Sequence, residues 1–284
     1  ISASTNLTVN LAEERNDADT WMRLTFSLGD DVDLNNLGPL AADLRVIRGR
    51  EYWDLGLYEK ARLEFENLGT ELSNANDAVG SYRLANYLRD LGLYRTSIFA
   101  ARQVLAIAGL DEHAESMMAP AYFSHIRYGL YYPDLVIPEA QKNGFDPLFV
   151  YSVIRQESLF EGFVSSSAGA RGLMQVIPTT GAQIASELGK PIGYNADDLY
   201  RPYVSVMFGT YYLNKNRSLF NGDPYAMLAA YNGGPGNALQ WKELSGNDPD
   251  LFLESVRFEE TRNYIRNIYE IFVIYRRLYG TGEQ

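Results

Sequence analysis

The chain contains no cysteine. Disulfides, thiolate nucleophiles and thiolate metal sites are therefore excluded together, while either side of a membrane stays open. Histidine is scarce as well. His113 and His125 stand twelve residues apart with no carboxylate pattern around them, so neither a metal-ligand spacing nor a catalytic triad can be assembled from them. Both read as surface or packing residues, and no metal or cofactor is expected. No apolar run approaches the roughly 18 residues that a membrane span needs, so no transmembrane segment is expected either. Positive charge is the scarcer sign, with 25 Lys and Arg against 36 Asp and Glu and a net charge of −11. That balance argues against nucleic acid, whose phosphates would be repelled. The chain also lacks an initial Met and a basic-then-apolar leader. Ile1-Ser2-Ala3-Ser4-Thr5 reads as a mature or trimmed product whose export sequence, if any, is gone.

What is present is a globular composition, 46% hydrophobic and 21% charged over 284 residues. This is enough for one large domain or two ordinary ones. Residues 1–16 are polar and irregular and read as a surface arm. From Asp17 onward the pattern is helical almost without interruption, and nothing reads as a long sheet. The fold class expected is mainly α in both halves.

The first half contains an internal echo. Asp54-Leu55-Gly56-Leu57-Tyr58-Glu59-Lys60-Ala61 is answered 36 residues on by Asp90-Leu91-Gly92-Leu93-Tyr94-Arg95-Thr96-Ser97. Each copy has a helical pattern before its Gly and another after it. In the second copy Leu84, Leu88 and Leu91 keep one face, and Ile98, Ala101, Leu105 and Ala108 keep the next. This is a helix–turn–helix repeat that resembles tetratricopeptide repeats. Gly56, Tyr58, Ala61 and Phe65 match that pattern, whereas Ser97 and Ala101 depart from it in the second copy. Two clear units do not make an independent solenoid, so the segment is expected to pack on something else. The repeats also offer a surface for a protein partner. Tyr131-Tyr132-Pro133-Asp134 breaks the pattern, which divides the chain into residues 1–132, a TPR-like helical-repeat domain, and residues 133–284.

The second half is organised around residues 146–175. Asp146-Pro147 is a helix start, since Asp caps orphan amides and Pro suits the first helical position. Val150, Val153, Ile154 and Glu157 then fall at i, i+3, i+4 and i+7, on a single face. A carboxyl group that continues an apolar stripe is costly to ionise, so the pKa of Glu157 should rise above the free value of about 4.3. A general acid needs that setting near neutral pH. Ser165-Ser166-Ser167-Ala168-Gly169-Ala170-Arg171-Gly172 follows as a tight turn that brings backbone close to something. Further helices are expected over 136–143, 178–188, 204–220, 224–231 and 262–279. The stretch between Gly189 and Pro202 reads as a long loop of the kind that faces a substrate.

Three motifs in order carry a resemblance. Arg155-Gln156-Glu157-Ser158, the run Ser167-Ala168-Gly169-Ala170-Arg171-Gly172-Leu173-Met174-Gln175 with Pro178 and Thr180, and Ala230-Tyr231-Asn232-Gly233-Gly234-Pro235-Gly236 together look like the soluble lytic transglycosylase family. The similarity runs from about Tyr131 to Gly280. It implies a lysozyme-like α-helical catalytic domain on which the repeats pack. It also implies a reaction in which a single Glu cuts peptidoglycan glycan strands between N-acetylmuramic acid and N-acetylglucosamine. Carried over, Glu157 protonates the leaving oxygen and then takes the proton of the sugar's own 6-hydroxyl, leaving a 1,6-anhydromuramoyl end. The 2-acetamido carbonyl supports the cation between these steps. The resemblance places Ser158 near the carboxylate or the acetamido group, Met174 and Gln175 along the cleft, and Tyr231 and Asn232 by the scissile bond. Glu260 and Tyr264 match a signature near the cleft floor. It further implies a bacterial cell-envelope location outside the cytoplasm, periplasmic or at the cell surface.

In one place the chain departs from the family pattern. Where the family has Asp-Pro and an Asn three residues after that Pro, Arg201-Pro202 and Ser205 stand here, so loop anchoring by those side chains is in doubt. Two-carboxylate glycosidases are the nearest chemical alternative, but none of Glu161, Asp197, Asp198, Glu259 and Glu260 has a spacing that nominates it as a partner of Glu157. The remaining alternatives are a lysozyme-like hydrolase on the same fold and a non-catalytic peptidoglycan-binding scaffold.

Overall fold

The computed structural model describes residues 7, 9–110, 115–246 and 248–280; His113 lies outside them. Among the described residues the protein is α-helical without a strand, apart from isolated bridges pairing Ser165 with Arg171 and Arg171 with Val176. It divides into two compact units, Leu7–Tyr131 and the part from Tyr132 onward.

The first unit comprises α1 (Leu11–Thr25), α2 (Leu44–Asp54), α3 (Tyr58–Asn74), α4 (Ala78–Leu91), α5 (Tyr94–Ile107) and α6 (Ala121–Arg127), with short 3₁₀ turns at Gly38–Ala42 and Glu115–Met118. The helix α1 begins at Leu11, so the arm expected over 1–16 is shorter than its polarity suggested. The Asn10 side chain accepts from the Glu13 amide, and Glu13 and Glu14 sit in the first turn, where acidic groups favour the amide end of a helix.

The helix pair α2–α3 is followed by the pair α4–α5, the two copies of the sequence echo. Ala61, Phe65, Leu68, Leu84, Leu88, Ile98, Ala101 and Leu105 form their buried interior. Ser97, the departure in the second copy, is fully buried and its hydroxyl donates to the Ala85 carbonyl at 2.7 Å. That bond satisfies the polar group which replaces a methyl there. His125 acquires a carboxylate partner that sequence spacing could not show: its Nδ1 lies 2.6 Å from Glu14 Oε2, tying α6 to α1.

The second unit comprises α7 (Pro133–Lys142), α8 (Pro147–Ser158), α9 (Pro178–Leu188), a 3₁₀ turn (Ala196–Tyr200), α10 (Pro202–Leu219), α11 (Pro224–Gly233), α12 (Pro235–Ser245), α13 (Pro249–Ser255) and α14 (Glu259–Tyr279). Seven of these helices have Pro in the first turn, where its missing N–H is not needed. The Asp146 carboxylate caps α8 through the Leu148 amide, and Asp223 caps α11 through the Tyr225 and Ala226 amides.

α11 is buried from Ala226 to Ala230, as befits a helix that is apolar all round. The helix α8 packs on α14, with the Phe149 ring 5.7 Å from Phe272 and the Tyr151 ring 5.9 Å from Tyr275, and Val150, Val153, Ile154, Ile265 and Ile268 have no exposed surface. The last turn of α8 is thereby held inside the unit.

Two helical glycines of the first unit should respond to alanine with opposite signs. At Gly49 of α2 an added Cβ would lie 2.7 Å from the Phe65 ring. Gly49→Ala should therefore destabilise the protein by about 1–3 kcal/mol through overpacking. At Gly69 of α3 the nearest atom to such a Cβ is 3.9 Å away, so Gly69→Ala should stabilise by about 0.5–1 kcal/mol. Thermal or denaturant unfolding of the two variants measures both.

Candidate active site

Glu157 sits in the last turn of α8, one step beyond the buried stripe of Val150, Val153 and Ile154. The helix ends immediately afterwards, where Leu159 and Phe160 take positive φ values of 51° and 66°. The carboxyl group is half-buried and opens onto a groove of about 720 Å³. Its Oε1 accepts a hydrogen bond of 2.5 Å from the Tyr264 hydroxyl of α14.

Burial pushes the Glu157 carboxyl up to about 8; the Tyr264 bond pulls it down, and the negative charge of Glu260 raises it. Tyr264 and Tyr231 are themselves pushed well above the ordinary phenol value, chiefly by burial. Both remain protonated and serve as donors. At neutral pH the site therefore holds a proton on a carboxylic acid that faces a cavity, which is the condition for donating it to a bound substrate.

The turn after α8 forms the floor of the groove. At Gly172 (φ 77°) a Cβ would fall 2.0 Å from the Leu199 carbonyl oxygen, so only glycine fits. Gln175 adopts φ 48°, and its side-chain amide donates to the Gly172 carbonyl at 2.8 Å and the Val164 carbonyl at 3.2 Å, closing the turn on itself. Tyr231 of α11 donates its hydroxyl to the Met174 carbonyl at 2.7 Å, and its ring lies 5.5 Å from that of Tyr212. The Asn232 carboxamide oxygen accepts from the Thr261 hydroxyl at 2.6 Å, which fixes the orientation of the side chain.

Six of the residues singled out in the sequence line this groove: Glu157, Gln175, Tyr231, Asn232, Glu260 and Tyr264. Ser158 and Met174 do not. The Ser158 hydroxyl is turned from the carboxylate and donates to the Leu173 carbonyl at 2.8 Å and the Ile154 carbonyl at 3.3 Å. The Met174 side chain is fully buried against α10, close enough that a Cβ at Gly209 would lie 2.4 Å from its sulfur. Both therefore stand one layer behind the groove, where they hold its floor.

Tyr212, Asn263 and Asn267 line the groove as well and were not foreseen. Asn263 and Asn267 share a helical face with Glu260 and Tyr264, at i+3 and i+7 from Glu260, so the periodicity of α14 could have found them. Tyr212 is brought in by its packing on Tyr231, for which the sequence holds no signal. The departures near residue 201 are compensated: Ser205 accepts from the Met174 amide at 3.0 Å, and the loop is tied by Arg171 to Asp197 at 2.7 Å. Among the described residues lining the groove, Glu260 is the only carboxylate besides Glu157, and no cationic side chain is present. No cluster of three or more His, Asp or Glu able to hold a metal occurs among the described residues.

Comparison with known proteins gives a consistent set of likenesses. Residues 134–251 match the family described as Transglycosylase SLT domain. The soluble lytic murein transglycosylase of Salmonella typhimurium is 30% identical over 255 residues, covering 89% of this chain and 36% of that protein. The crystal structure of the 70 kDa soluble lytic transglycosylase of Escherichia coli superposes with a TM-score of 0.69 at 25% identity, covering 94% of this chain and 42% of that one. An inactive glutamate-to-glutamine variant of lytic transglycosylase Slt from Pseudomonas aeruginosa gives a TM-score of 0.66 at 24% identity, covering 94% and 43%. The chain thus spans about a third of the length of the curated relatives it matches.

The raised Glu157 value has a consequence for stability. Between its ordinary value of 4.5 and about 8 the folded protein holds a proton that the unfolded chain has lost, so stability falls as pH rises across that window. Glu157→Gln carries no such charge and should be the more stable protein at pH 8. Its advantage should be on the order of a few kcal/mol and shrink steadily on acidification towards the ordinary carboxylate value. Paired melts from pH 5 to pH 9 (about the range in which both should stay folded) measure the difference.

Proposed function

Since the chain belongs to the lytic transglycosylase family, we propose that it cleaves the glycan strands of peptidoglycan between N-acetylmuramic acid and N-acetylglucosamine without consuming water. The observation that carries this proposal is the buried acid: Glu157 is half-buried, kept protonated by desolvation, and faces a groove in which, among the described residues, the only other carboxylate is the exposed Glu260. A glycosidic bond needs a proton on its leaving oxygen. With Oε1 committed to Tyr264, Oε2 is the oxygen that carries the proton and delivers it.

Bond cleavage leaves Glu157 as a carboxylate, and the bond from Tyr264 stabilises that charge inside the protein. The substrate's acetamido carbonyl supports the electron-poor anomeric carbon. Glu157 then takes the proton of the 6-hydroxyl as that oxygen bonds to the anomeric carbon. The proton count returns to its starting point, and the product ends in 1,6-anhydromuramic acid. Tyr231, Asn232, Gln175 and Glu260 line the groove with Glu157, where a bound sugar would meet them, and the hydroxyl of Tyr231 is oriented by the Met174 carbonyl.

A lysozyme-like hydrolase would use the same acid with water in place of the 6-hydroxyl, and its products would carry one additional water. A scaffold that only binds glycan gains nothing from burying an acid, which is costly to ionise. The proposal extends to a bacterial envelope setting outside the cytoplasm and to a catalytic domain over residues 133–284 beside a TPR-like repeat domain over 1–132, whose surface would take a protein partner. No helix among the described residues is long and apolar enough to cross a membrane.

Mass analysis of muropeptides released from purified sacculi should find anhydromuramoyl ends with the wild-type protein and none with Glu157→Gln. Reducing ends would overturn the non-hydrolytic route. The alkaline limb of kcat/KM should lie near pH 8, because the acid must be protonated in the free enzyme. Tyr264→Phe removes a bond that lowers the Glu157 value and should move that limb upward, while Glu260→Gln removes a charge that raises it and should move the limb downward.

A further inference from the structure

The floor of the groove depends on a single peptide unit, the one joining Leu173 to Met174. Its carbonyl accepts from the hydroxyl of Ser158, the residue after Glu157 on α8, at 2.8 Å. Its N–H donates to Ser205 Oγ of α10 at 3.0 Å. The carbonyl of the next unit accepts from Tyr231 of α11 at 2.7 Å. Ser158, Leu173, Met174 and Ser205 are all buried, so water does not substitute for any of these partners.

We propose that Ser205 is a positioning residue for Glu157 and Tyr231, its hydroxyl oxygen locking the Leu173–Met174 peptide, whose carbonyl fastens α8, and through it the adjoining Met174 carbonyl, which fastens α11. This rests on the reading of Glu157 as the reacting acid. A peptide unit is planar, with its C=O and N–H on opposite sides. Held from α8 at one end and from α10 at the other, it cannot rotate. The oxygen of Ser205 supplies one of those two holds.

Three features single this hydroxyl out. First, serine and threonine inside helices commonly donate to the carbonyl four residues back, as Ser152 does to Leu148 and Thr210 to Val206. Ser205 instead accepts from a residue 31 positions away in sequence. Second, α10 grips the turn with two residues one helical turn apart. Gly209 leaves room for the Met174 side chain, and Ser205 takes the Met174 amide. Third, the turn stores strain at Gln175, a non-glycine residue at φ 48°. Such a conformation persists only where its surroundings over-determine it. Without the Ser205 oxygen, the buried Met174 amide has to turn to find an acceptor. That rotation swings the Leu173 carbonyl away from Ser158, disturbs the adjoining Met174 carbonyl that holds Tyr231, and opens the floor beneath Glu157 to water.

The test compares the whole wild-type chain with Ser205→Ala and with Ser205→Cys, whose thiol is a weaker acceptor of nearly the same shape. On soluble peptide-bearing glycan strands, Ser205→Ala should lower kcat by about ten- to a hundredfold with KM within about twofold, Ser205→Cys falling between it and wild type. In a ¹³C-carboxyl NMR titration the Glu157 midpoint should drop by about one pH unit in Ser205→Ala as water reaches it. This readout does not depend on activity, and a loss of folded protein alone would not move it. An unchanged midpoint overturns the proposal, whether kcat is retained or falls only in step with the folded fraction seen in a melt. If the wild type releases no anhydromuramoyl ends, or Glu157→Gln cleaves as fast, it is the functional reading that fails. The midpoint shift still decides whether Ser205 positions the carboxyl group.

Discussion

A carboxyl group that keeps its proton at neutral pH must be shielded from water and denied a cation, and the second unit of this protein meets both conditions around Glu157. The stripe of Val150, Val153 and Ile154 carries the acid into the interior, and the packing of α8 on α14 keeps it there. No Lys, Arg or His among the described residues lines the groove, so no ion pair draws the proton off. Among the described residues the acid's hydrogen-bond partner is the hydroxyl of Tyr264. It orients the carboxyl group and lies ready to stabilise the charge once the proton has left. Desolvation and this single hydrogen bond oppose each other, and desolvation is the larger effect.

Around that acid the protein uses backbone more than side chains. Residues 172–175 supply carbonyls to Ser158 and Tyr231 and an amide to Ser205. Three helices are thereby referenced to one short turn. The glycine content of the segment follows from this use: at Gly172 there is no room for any side chain beneath the Leu199 carbonyl. Ser158 and Met174 have the residue types of a sugar-binding cleft but serve instead to hold the floor in place.

Much of this was legible because it is local. Asp146-Pro147 and Asp223-Pro224 start helices through caps made within three residues, and the period of Val150, Val153, Ile154 and Glu157 identifies the inward face. Local signals were also overlooked. Asp248-Pro249 starts α13 in the same way, whereas Pro235 opens α12 after Gly234 without a side-chain cap, a start that the glycines at 233, 234 and 236 obscured. What the sequence could not show is direction. A hydroxyl in the last turn of a helix may equally face a groove or a carbonyl; at Ser158 the choice is made by Leu173, 15 residues away. Tyr212 likewise joins the groove only through its neighbour Tyr231. Ser205 departs from the family pattern, and its bond to the Met174 amide spans 31 positions, beyond the reach of any local signal.

Both units are closed by contacts that reach far along the chain. In the first, α2 meets α3 and α4 meets α5 locally, but the contact of His125 with Glu14 joins residues 111 positions apart. In the second, the bond between Glu157 and Tyr264 joins residues separated by 107 positions. Each unit must therefore close a long loop before its last contacts form. A nascent chain translated only as far as α13 therefore carries its glutamate hydrated and ionised, without the phenol that orients it. The acid meets the partner that orients it only once α14 has been made.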